Sequence, residues 1–263
     1  MNNSDPIAER NALARQYQAR GELDRAIALF EANLRECADL RGADSADTLV
    51  ARNNLARAYQ DAGRLDDAIP LLERNLGDST RLLGADHPSV LVAQANLAGA
   101  YHDAGRLNEA IPLHEQNLKD RTHILGPHHP DTLNSRNNLA GAYDDAGRLD
   151  DAIELFEQNL KDFENLLGPH HPHTLLSRNN LANAYQAAGR LNEAITLYEQ
   201  TLEDRTRILG PHHPHTLTAR NNLADAYRTA GRIEDAEKLF ETPSDSENEQ
   251  DGTEEDPDQM TGD

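Results

Sequence analysis

The sequence predicts an all-α protein, a right-handed α-solenoid of six helix-turn-helix repeats with a disordered acidic C-terminal tail. Three observations predict it: tyrosines recur with a period of 42 residues, a glycine follows each of them four residues later, and a second set of glycines divides each interval. The tyrosines are Tyr17, Tyr59, Tyr101, Tyr143, Tyr185 and Tyr227. Between the glycines, apolar residues are three or four positions apart, which is the periodicity of an amphipathic helix.

The elements follow from local signals. Residues 1–6 are predicted to be an N-terminal cap segment, with Asp5 as the N-cap before Pro6 at the first helical position. Residues 7–241 are predicted to form the solenoid, in which each repeat has a first helix, a Gly-Arg turn and a longer second helix that ends at a glycine. In the clearest copy, the first helix is expected over 174–188 and the second from Leu191 to Gly210. A lone repeat leaves its apolar faces uncovered, so stability must come from stacking.

The composition excludes several classes of function. Lys+Arg 25 against Asp+Glu 46 gives a formal net charge of -21, which argues against binding to nucleic acid or to an anionic membrane. A single cysteine, Cys37, rules out a disulfide framework and a site of several thiolates. No apolar run approaches the ~18 residues of a membrane span. We therefore expect a cytoplasmic protein.

Residues 242–263 differ from the rest of the chain. They contain nine acidic residues and no lysine or arginine. Such a segment cannot bury enough apolar surface to fold, so it is predicted to be a disordered acidic tail.

The repeat resembles a known family. With Tyr59 at position 11 of a tetratricopeptide repeat, Leu55 takes position 7, Gly63 position 15, Ala68 position 20 and Leu72 position 24. The 42-residue period, the Asn-Asn-Leu-Ala block and the Leu-Gly-x-x-His-Pro linker are similar to the kinesin light chain subtype of this family. The resemblance covers residues 7–241 and implies a non-catalytic module that binds a protein or peptide partner.

The same resemblance implies that the first helices line a concave groove for a peptide. The groove residues so predicted are Asn53, Asn54, Asn96, Asn137, Asn138, Asn179, Asn180, Asn183, Asn221, Asn222, Gly99, Gly141, His102 and Asp144. Amides can both donate and accept hydrogen bonds, so an asparagine ladder could hold a peptide backbone. The alternative is that the asparagines bond to one another and keep the repeats in register.

Two features of the groove indicate the ligand. Gly99 and Gly141 leave adjacent repeats without a side chain at position 9, which predicts either a hollow for a bulky ligand group or close helix packing. His102 and Asp144, with neighbouring aspartates, make the central groove neutral to acidic. A neutral to basic peptide segment is therefore favoured, and the acidic tails bound by chaperone-type clamps are not.

Two further rows of residues carry structural predictions. Arginines at position 4 are expected to pair with acidic residues of the preceding second helix, with their stems on apolar surface; they are Arg10, Arg52, Arg136, Arg178 and Arg220. The histidines of the linkers are expected to cap helices. A metal site within one linker, such as one from His171 and His173, is the lesser alternative.

Catalysis has no support in the sequence. Phosphate-binding, dinucleotide, zinc-protease and nucleophile-elbow motifs are all missing, so we predict no enzyme, no cofactor and no resident metal. The alternative function is self-assembly, or a sensor arm in a larger signalling assembly, through exposed ends of the solenoid, because the sixth repeat has a short second helix.

Overall fold

The computed structural model describes residues 5–241, and these residues form twelve α-helices. In chain order the helices are α1 (Pro6–Ala19), α2 (Leu23–Arg41), α3 (Ala46–Asp61), α4 (Leu65–Leu83), α5 (Pro88–Asp103), α6 (Leu107–Leu125), α7 (Pro130–Asp145), α8 (Leu149–Leu167), α9 (Pro172–Ala187), α10 (Leu191–Leu209), α11 (Pro214–Thr229) and α12 (Ile233–Lys238). Each consecutive pair is one repeat, numbered 1 to 6. The all-α, repetitive fold class is confirmed. The acidic tail and residues 1–4 of the cap segment lie outside the described residues.

The described residues divide into two compact units, the first ending at residue 166 and the second beginning at residue 167. In the first unit, consecutive helices from α1 to α7 pack against each other, and in the second unit the same holds from α9 to α12. None of the helices between residues 5 and 241 combines the length and the apolar character that a membrane crossing requires.

The helix boundaries follow the predicted signals. Asp5 caps α1, since its Oδ1 accepts a hydrogen bond from the backbone N–H of Ile7 at 3.0 Å, and Pro6 takes the first helical position. The turn after α3 contains Gly63 at φ 69°, a left-handed conformation that L side chains rarely adopt. At this turn the N–H of Arg64 donates to the carbonyl of Tyr59 at 2.8 Å.

Small residues allow the helices of one repeat to pack closely on those of the next. Between repeats 2 and 3, the core contains Ala56, Ile69 and Leu72 from one repeat and Leu97 and Ala110 from the other. Both alanines are completely buried. A core of alanine and leucine explains how a chain with only 4% aromatic residues can build a continuous apolar interior.

The repeated tyrosine joins consecutive repeats at its hydroxyl. Tyr59 donates to Glu31 at 2.8 Å, and the same bond recurs between Tyr143 and Glu115 at 2.7 Å. The Arg64 guanidinium lies over the Tyr59 ring at 4.5 Å. Burial and the hydrogen bond to Glu31 raise the pKa of Tyr59 to about 12, so its hydroxyl keeps its proton.

Of the five arginines at position 4, Arg52, Arg136 and Arg178 are buried, but the partner predicted for them was wrong. Arg52 on α3 pairs with Asp78 at 2.8 Å, and Asp78 lies on α4, the following helix of the same repeat. Arg52 also donates to the carbonyl of Ala43 in the preceding linker at 3.2 Å. Arg136 with Asp162, and Arg178 with Asp204, repeat the pairing. Each of these three arginines therefore joins the preceding linker to the second helix of its own repeat.

Candidate functional site

The predicted groove residues lie on one face of the first helices α3, α5, α7, α9 and α11, which we call the first-helix surface. Asn138, Asn183 and Asn221 are exposed, and the remaining predicted residues are half-buried. The apolar side of the same helices is occupied by the buried leucines and alanines of the core. Each first helix therefore has an apolar face that packs in the core and a polar face that is accessible.

Asparagines on this surface bond between adjacent repeats. Nδ2 of Asn96 donates to Oδ1 of Asn53 at 2.7 Å, and Nδ2 of Asn222 donates to Oδ1 of Asn179 at 3.0 Å. These two pairs have the geometry of the register-keeping alternative. Each pair uses one of the two N–H donors of the donating amide. The second N–H of that amide is a further hydrogen-bond donor on the first-helix surface.

Open pockets lie on the first-helix surface between repeats 1 and 2, between repeats 2 and 3, and between repeats 5 and 6. The pocket between repeats 2 and 3 has a volume of about 290 Å³ and is lined by Asn53, Asn96 and Gly99. The pocket between repeats 5 and 6 has a volume of about 690 Å³, and its lining includes Asn183 and Tyr198. Between repeats 1 and 2 a pocket of about 550 Å³ is lined by Arg15, Gln18, Ala19, Phe30, Asn54, Arg57 and Asp61.

The two glycines at position 9 face open space. A Cβ atom at Gly99 would meet no other atom within 4 Å, and one at Gly141 would meet only Cε1 of His102, at 3.9 Å. Close helix packing is therefore not the reason for glycine at these positions. The hollow, the other predicted reading, agrees with this geometry.

A buried histidine near this hollow was missed by the sequence reasoning. His114 on α6 is 2% exposed, and its Nε2 has no hydrogen-bond partner. Its ring lies edge-on to that of His102, with 6.2 Å between centroids. Burial, and secondarily the charge of His102, lowers the pKa of His114 to about 4. The missed signal was that position 24 is apolar in repeats 1, 2 and 4, where the residues are Phe30, Leu72 and Phe156.

Three side chains of repeats 3 and 4, His102, Asp144 and Asp145, add ionisable groups to the first-helix surface. Nε2 of His102 lies 2.6 Å from Oδ2 of Asp145, a contact between repeats 3 and 4. Asp144 has a buried Oδ1 without a hydrogen-bond partner. Burial, together with the charge of Asp145, raises the pKa of Asp144. The centre of the first-helix surface therefore combines carboxylates with imidazoles.

Linker histidines act as helix N-caps, as predicted. Nδ1 of His87 accepts a hydrogen bond from the N–H of Ser89 at 3.1 Å, and His129, His171 and His213 do the same for their helices. His171 and His173 stack with 5.4 Å between ring centroids. Among residues 5–241 no group of three or more His, Cys, Asp or Glu side chains could hold a metal ion.

Two apolar pockets at the linker ends of the repeats were not predicted. One, of about 330 Å³, includes Val50, Leu83 and Val92 in its lining. The other, of about 320 Å³, includes Leu176 and Ile208. The available signal was apolar residues at position 2, which are exposed on the first helices.

The family comparison decides the identity of this fold. The tetratricopeptide repeat model matches residues 6–76, 51–116, 89–161, 145–206 and 174–242. The chain belongs to the tetratricopeptide repeat family. It is of the kinesin light chain-like type, because TPR-like repeats of a kinesin light chain from Podosopora anserina are 34% identical over 79% of this chain and 98% of that one, with a TM-score of 0.70.

More distant tetratricopeptide structures share the fold. BtubC from P. vanneervenii is 18% identical over 98% of both chains, with a TM-score of 0.65. A Rap protein complexed with Competence and Sporulation Factor is 11% identical over 89% of this chain and 72% of that one, with a TM-score of 0.61. A comparison with curated proteins gives no match. The tetratricopeptide fold is in general a non-catalytic scaffold for protein interactions, and this chain has that fold.

Proposed function

We propose that this protein is a non-catalytic interaction scaffold that holds an extended or helical peptide segment of a partner protein on its first-helix surface. The observations that support the proposal are the open pocket between repeats 2 and 3 in the first unit and the open pocket between repeats 5 and 6 in the second unit, both lined by predicted amides. Exposed Asn138, Asn183 and Asn221 offer donors and acceptors to a peptide backbone. The Rap protein complexed with Competence and Sporulation Factor has a similar fold, and this analogy supports the proposal.

The chemistry of the surface favours a neutral to basic peptide. Asp61 and Asp103 line the pocket between repeats 2 and 3, and Asp225 lines the pocket between repeats 5 and 6. The net charge of -21 would also speed the approach of a basic segment and repel nucleic acid and anionic membranes. Arg57 also lines the pocket between repeats 2 and 3. Its positive charge would allow a neutral or acidic side chain of the peptide at that point.

The experiment replaces exposed amides of the surface and measures peptide binding. Asn180 has other contacts, so we choose Asn138 and Asn221, which are exposed. A library of random twelve-residue peptides is selected on the full chain, and the enriched peptides are titrated. N138L/N221L is expected to weaken the Kd at least about tenfold, or ~1.4 kcal/mol.

The matched control is N108L/N192L, which changes two exposed asparagines on the second helices α6 and α10. This variant should bind like the unchanged protein. Equal weakening by both double variants, or none by N138L/N221L, would remove the first-helix surface from the proposal.

Self-assembly is the second candidate. Ile233 is 51% exposed and Phe240 is 47% exposed, and both lie at the last helix described, so they offer an apolar contact to a second copy. Sedimentation equilibrium over a range of concentrations should then show dimers that I233K/F240K abolishes. A monomer at high concentration would exclude this function.

We place the protein in the cytoplasm and propose no catalytic activity. Cys37 is buried, and burial raises the pKa of its thiol, which makes it a poor nucleophile. The sequence offers no second thiol for a disulfide, consistent with a reducing compartment.

A further inference from the structure

Two arginines line the open pocket between repeats 1 and 2. Arg15 on α1 and Arg57 on α3 both occupy position 9 of their repeats, and both side chains are exposed. The pocket has a volume of about 550 Å³, and its lining also includes Phe30, Asn54 and Asp61. Two positive charges from separate helices therefore border one accessible space.

These two arginines have no partner for their charge. Among residues 5–241, neither guanidinium forms an ion pair or donates a hydrogen bond to another side chain or to a carbonyl. Other arginines of the first unit are paired, such as Arg64 with Asp67 at 2.7 Å. A guanidinium keeps its charge at physiological pH and has five N–H donors in a fixed plane. The donors of Arg15 and Arg57 are therefore available to a ligand.

The position 9 arginines are confined to repeats 1 and 2. The same position holds glycine in repeats 3 and 4, asparagine in repeat 5 and aspartate in repeat 6. The chain as a whole carries a formal net charge of -21, but salt at physiological ionic strength screens exposed charges beyond about 8 Å. The pocket between repeats 1 and 2 is therefore a local site for an anionic group on an otherwise acidic protein.

The polar side chains of this pocket fit a phosphate better than a carboxylate. A carboxylate has two oxygens, and the fork of one guanidinium can satisfy both, whereas a phosphate monoester has three acceptor oxygens and a charge of about −2. Gln18 adds a third donor group, because its Nε2 donates one N–H to Asp61 and has a second N–H. Asp61 offsets part of the positive charge, which penalises a singly charged group more than a doubly charged one that two guanidiniums can hold.

We propose that the pocket between repeats 1 and 2 binds the phosphate group of a phosphoserine in the bound peptide. Arg15 and Arg57 donate to the phosphate oxygens from two sides, and Gln18 donates to the third oxygen. This inference rests on the proposed function and adds the modified residue that the peptide carries at this end, while its remainder stays neutral to basic. Capture of the partner then depends on phosphorylation of the partner.

The test compares three synthetic libraries of twelve-residue peptides that differ only in one fixed central residue, which is phosphoserine, serine or glutamate. Each library is selected on the full chain, and every enriched peptide is titrated in all three forms. The phosphoserine form is expected to bind at least about tenfold more tightly than the serine form. It should also bind at least about fivefold more tightly than the glutamate form, because a carboxylate cannot engage both guanidiniums and Gln18 together.

The double variant R15N/R57N should reduce the preference for phosphoserine over serine to less than about twofold. The fold already accepts asparagine at position 9, where repeat 5 has Asn183. The control is R35N/R74N, which removes the same charge from exposed arginines on the second helices α2 and α4 of the same two repeats. This variant should keep the full preference. A melting curve of each variant verifies folding.

A second measurement follows the two arginines directly. The Nε–H signals of Arg15 and Arg57 are assigned by NMR with the single variants R15N and R57N. Addition of the phosphoserine peptide should shift both signals, and the serine form of the same peptide should shift them much less.

Three results would overturn this inference and leave peptide binding intact. They are equal affinities for the phosphoserine and serine forms, a glutamate form that binds as tightly as the phosphoserine form, and a phosphoserine preference that survives R15N/R57N. If none of the three libraries yields a peptide that binds the unchanged protein, both the proposed function and this inference fail.

Discussion

Single residues that depart from the repeat carry the most specific chemistry. His114 stands where repeats 1, 2, 4 and 5 have a phenylalanine, a leucine or a tyrosine, and it is 2% exposed. An imidazole in this position is tolerated because it is neutral, yet it leaves Nε2 unpartnered. Gly99 and Gly141 are departures of the opposite kind, because they remove side chains and open space.

His114 should make the protein sensitive to acid. Burial lowers the pKa of His114 from 6.5 to about 4, so between these values the unfolded chain binds a proton that the folded chain does not. The free energy of unfolding must therefore fall as the pH falls through this range. H114L should lose about 2 kcal/mol less than the unchanged protein between pH 7 and pH 4 in urea titrations.

The control for this prediction is H123L, since His123 is exposed on the same helix. Its stability should follow that of the unchanged protein over the same range. If the curves of H114L and the unchanged protein stay parallel from pH 7 to pH 4, His114 is not the group responsible.

At the scale of elements, polar side chains join helices that apolar packing alone would leave free to slide. Asn117 on α6 donates to the carbonyl of Leu91 on α5 at 2.7 Å, and its Oδ1 accepts from Ser135 of the next repeat at 2.7 Å. Arg52 joins α3, α4 and the preceding linker in the same way. These buried bonds fix the register of each helix pair.

Arg52 and Arg74 offer a matched comparison, because both approach Asp78. The Arg52 side chain is 3% exposed, whereas that of Arg74 is 61% exposed and lies 3.6 Å from the same carboxylate. R52M should lower the free energy of unfolding by about 2–4 kcal/mol, since it leaves Asp78 and the Ala43 carbonyl without their buried donor.

R74M should change the free energy of unfolding by less than about 0.5 kcal/mol, because exposed ion pairs contribute little. Urea unfolding of both variants checks the pair. Similar losses in the two variants would show that burial of Arg52 does not decide its contribution.

At the scale of the whole molecule, the helices pack mainly against helices that are adjacent in sequence. In the first unit each helix from α1 to α6 contacts the next helix in sequence, and α5 also contacts α7. Stability should therefore be close to a sum over repeats and the interfaces between them.

Removing one complete period should leave a folded protein. Deletion of residues 64–105 removes α4 and α5 and joins Gly63 to Arg106, which reproduces the original Gly-Arg turn. The shortened chain should keep the same helical signal per residue. Its urea m-value should fall by roughly one sixth, because that value scales with the surface exposed on unfolding. Loss of helicity or of a cooperative transition would contradict the additive description.

The fold could be predicted closely, and the site only in part. The second helix expected from Leu191 to Gly210 is α10, Leu191–Leu209. The asparagine row was placed on one helical face, yet nothing in the sequence shows that Asn96 donates to Asn53 across two repeats. The partner of Arg52 was predicted wrongly because acidic residues occur on both neighbouring second helices, and spacing cannot choose between them.

The sequence by itself determined the helix ends, the period and the face that each residue takes, because these depend on local backbone preference and on a pattern that repeats. The tertiary structure alone decided that Gly99 faces open space, that Asp78 receives Arg52 and that His114 is buried without a partner for Nε2. Each of these depends on atoms from separate helices meeting in one volume, and a periodic pattern does not specify that meeting.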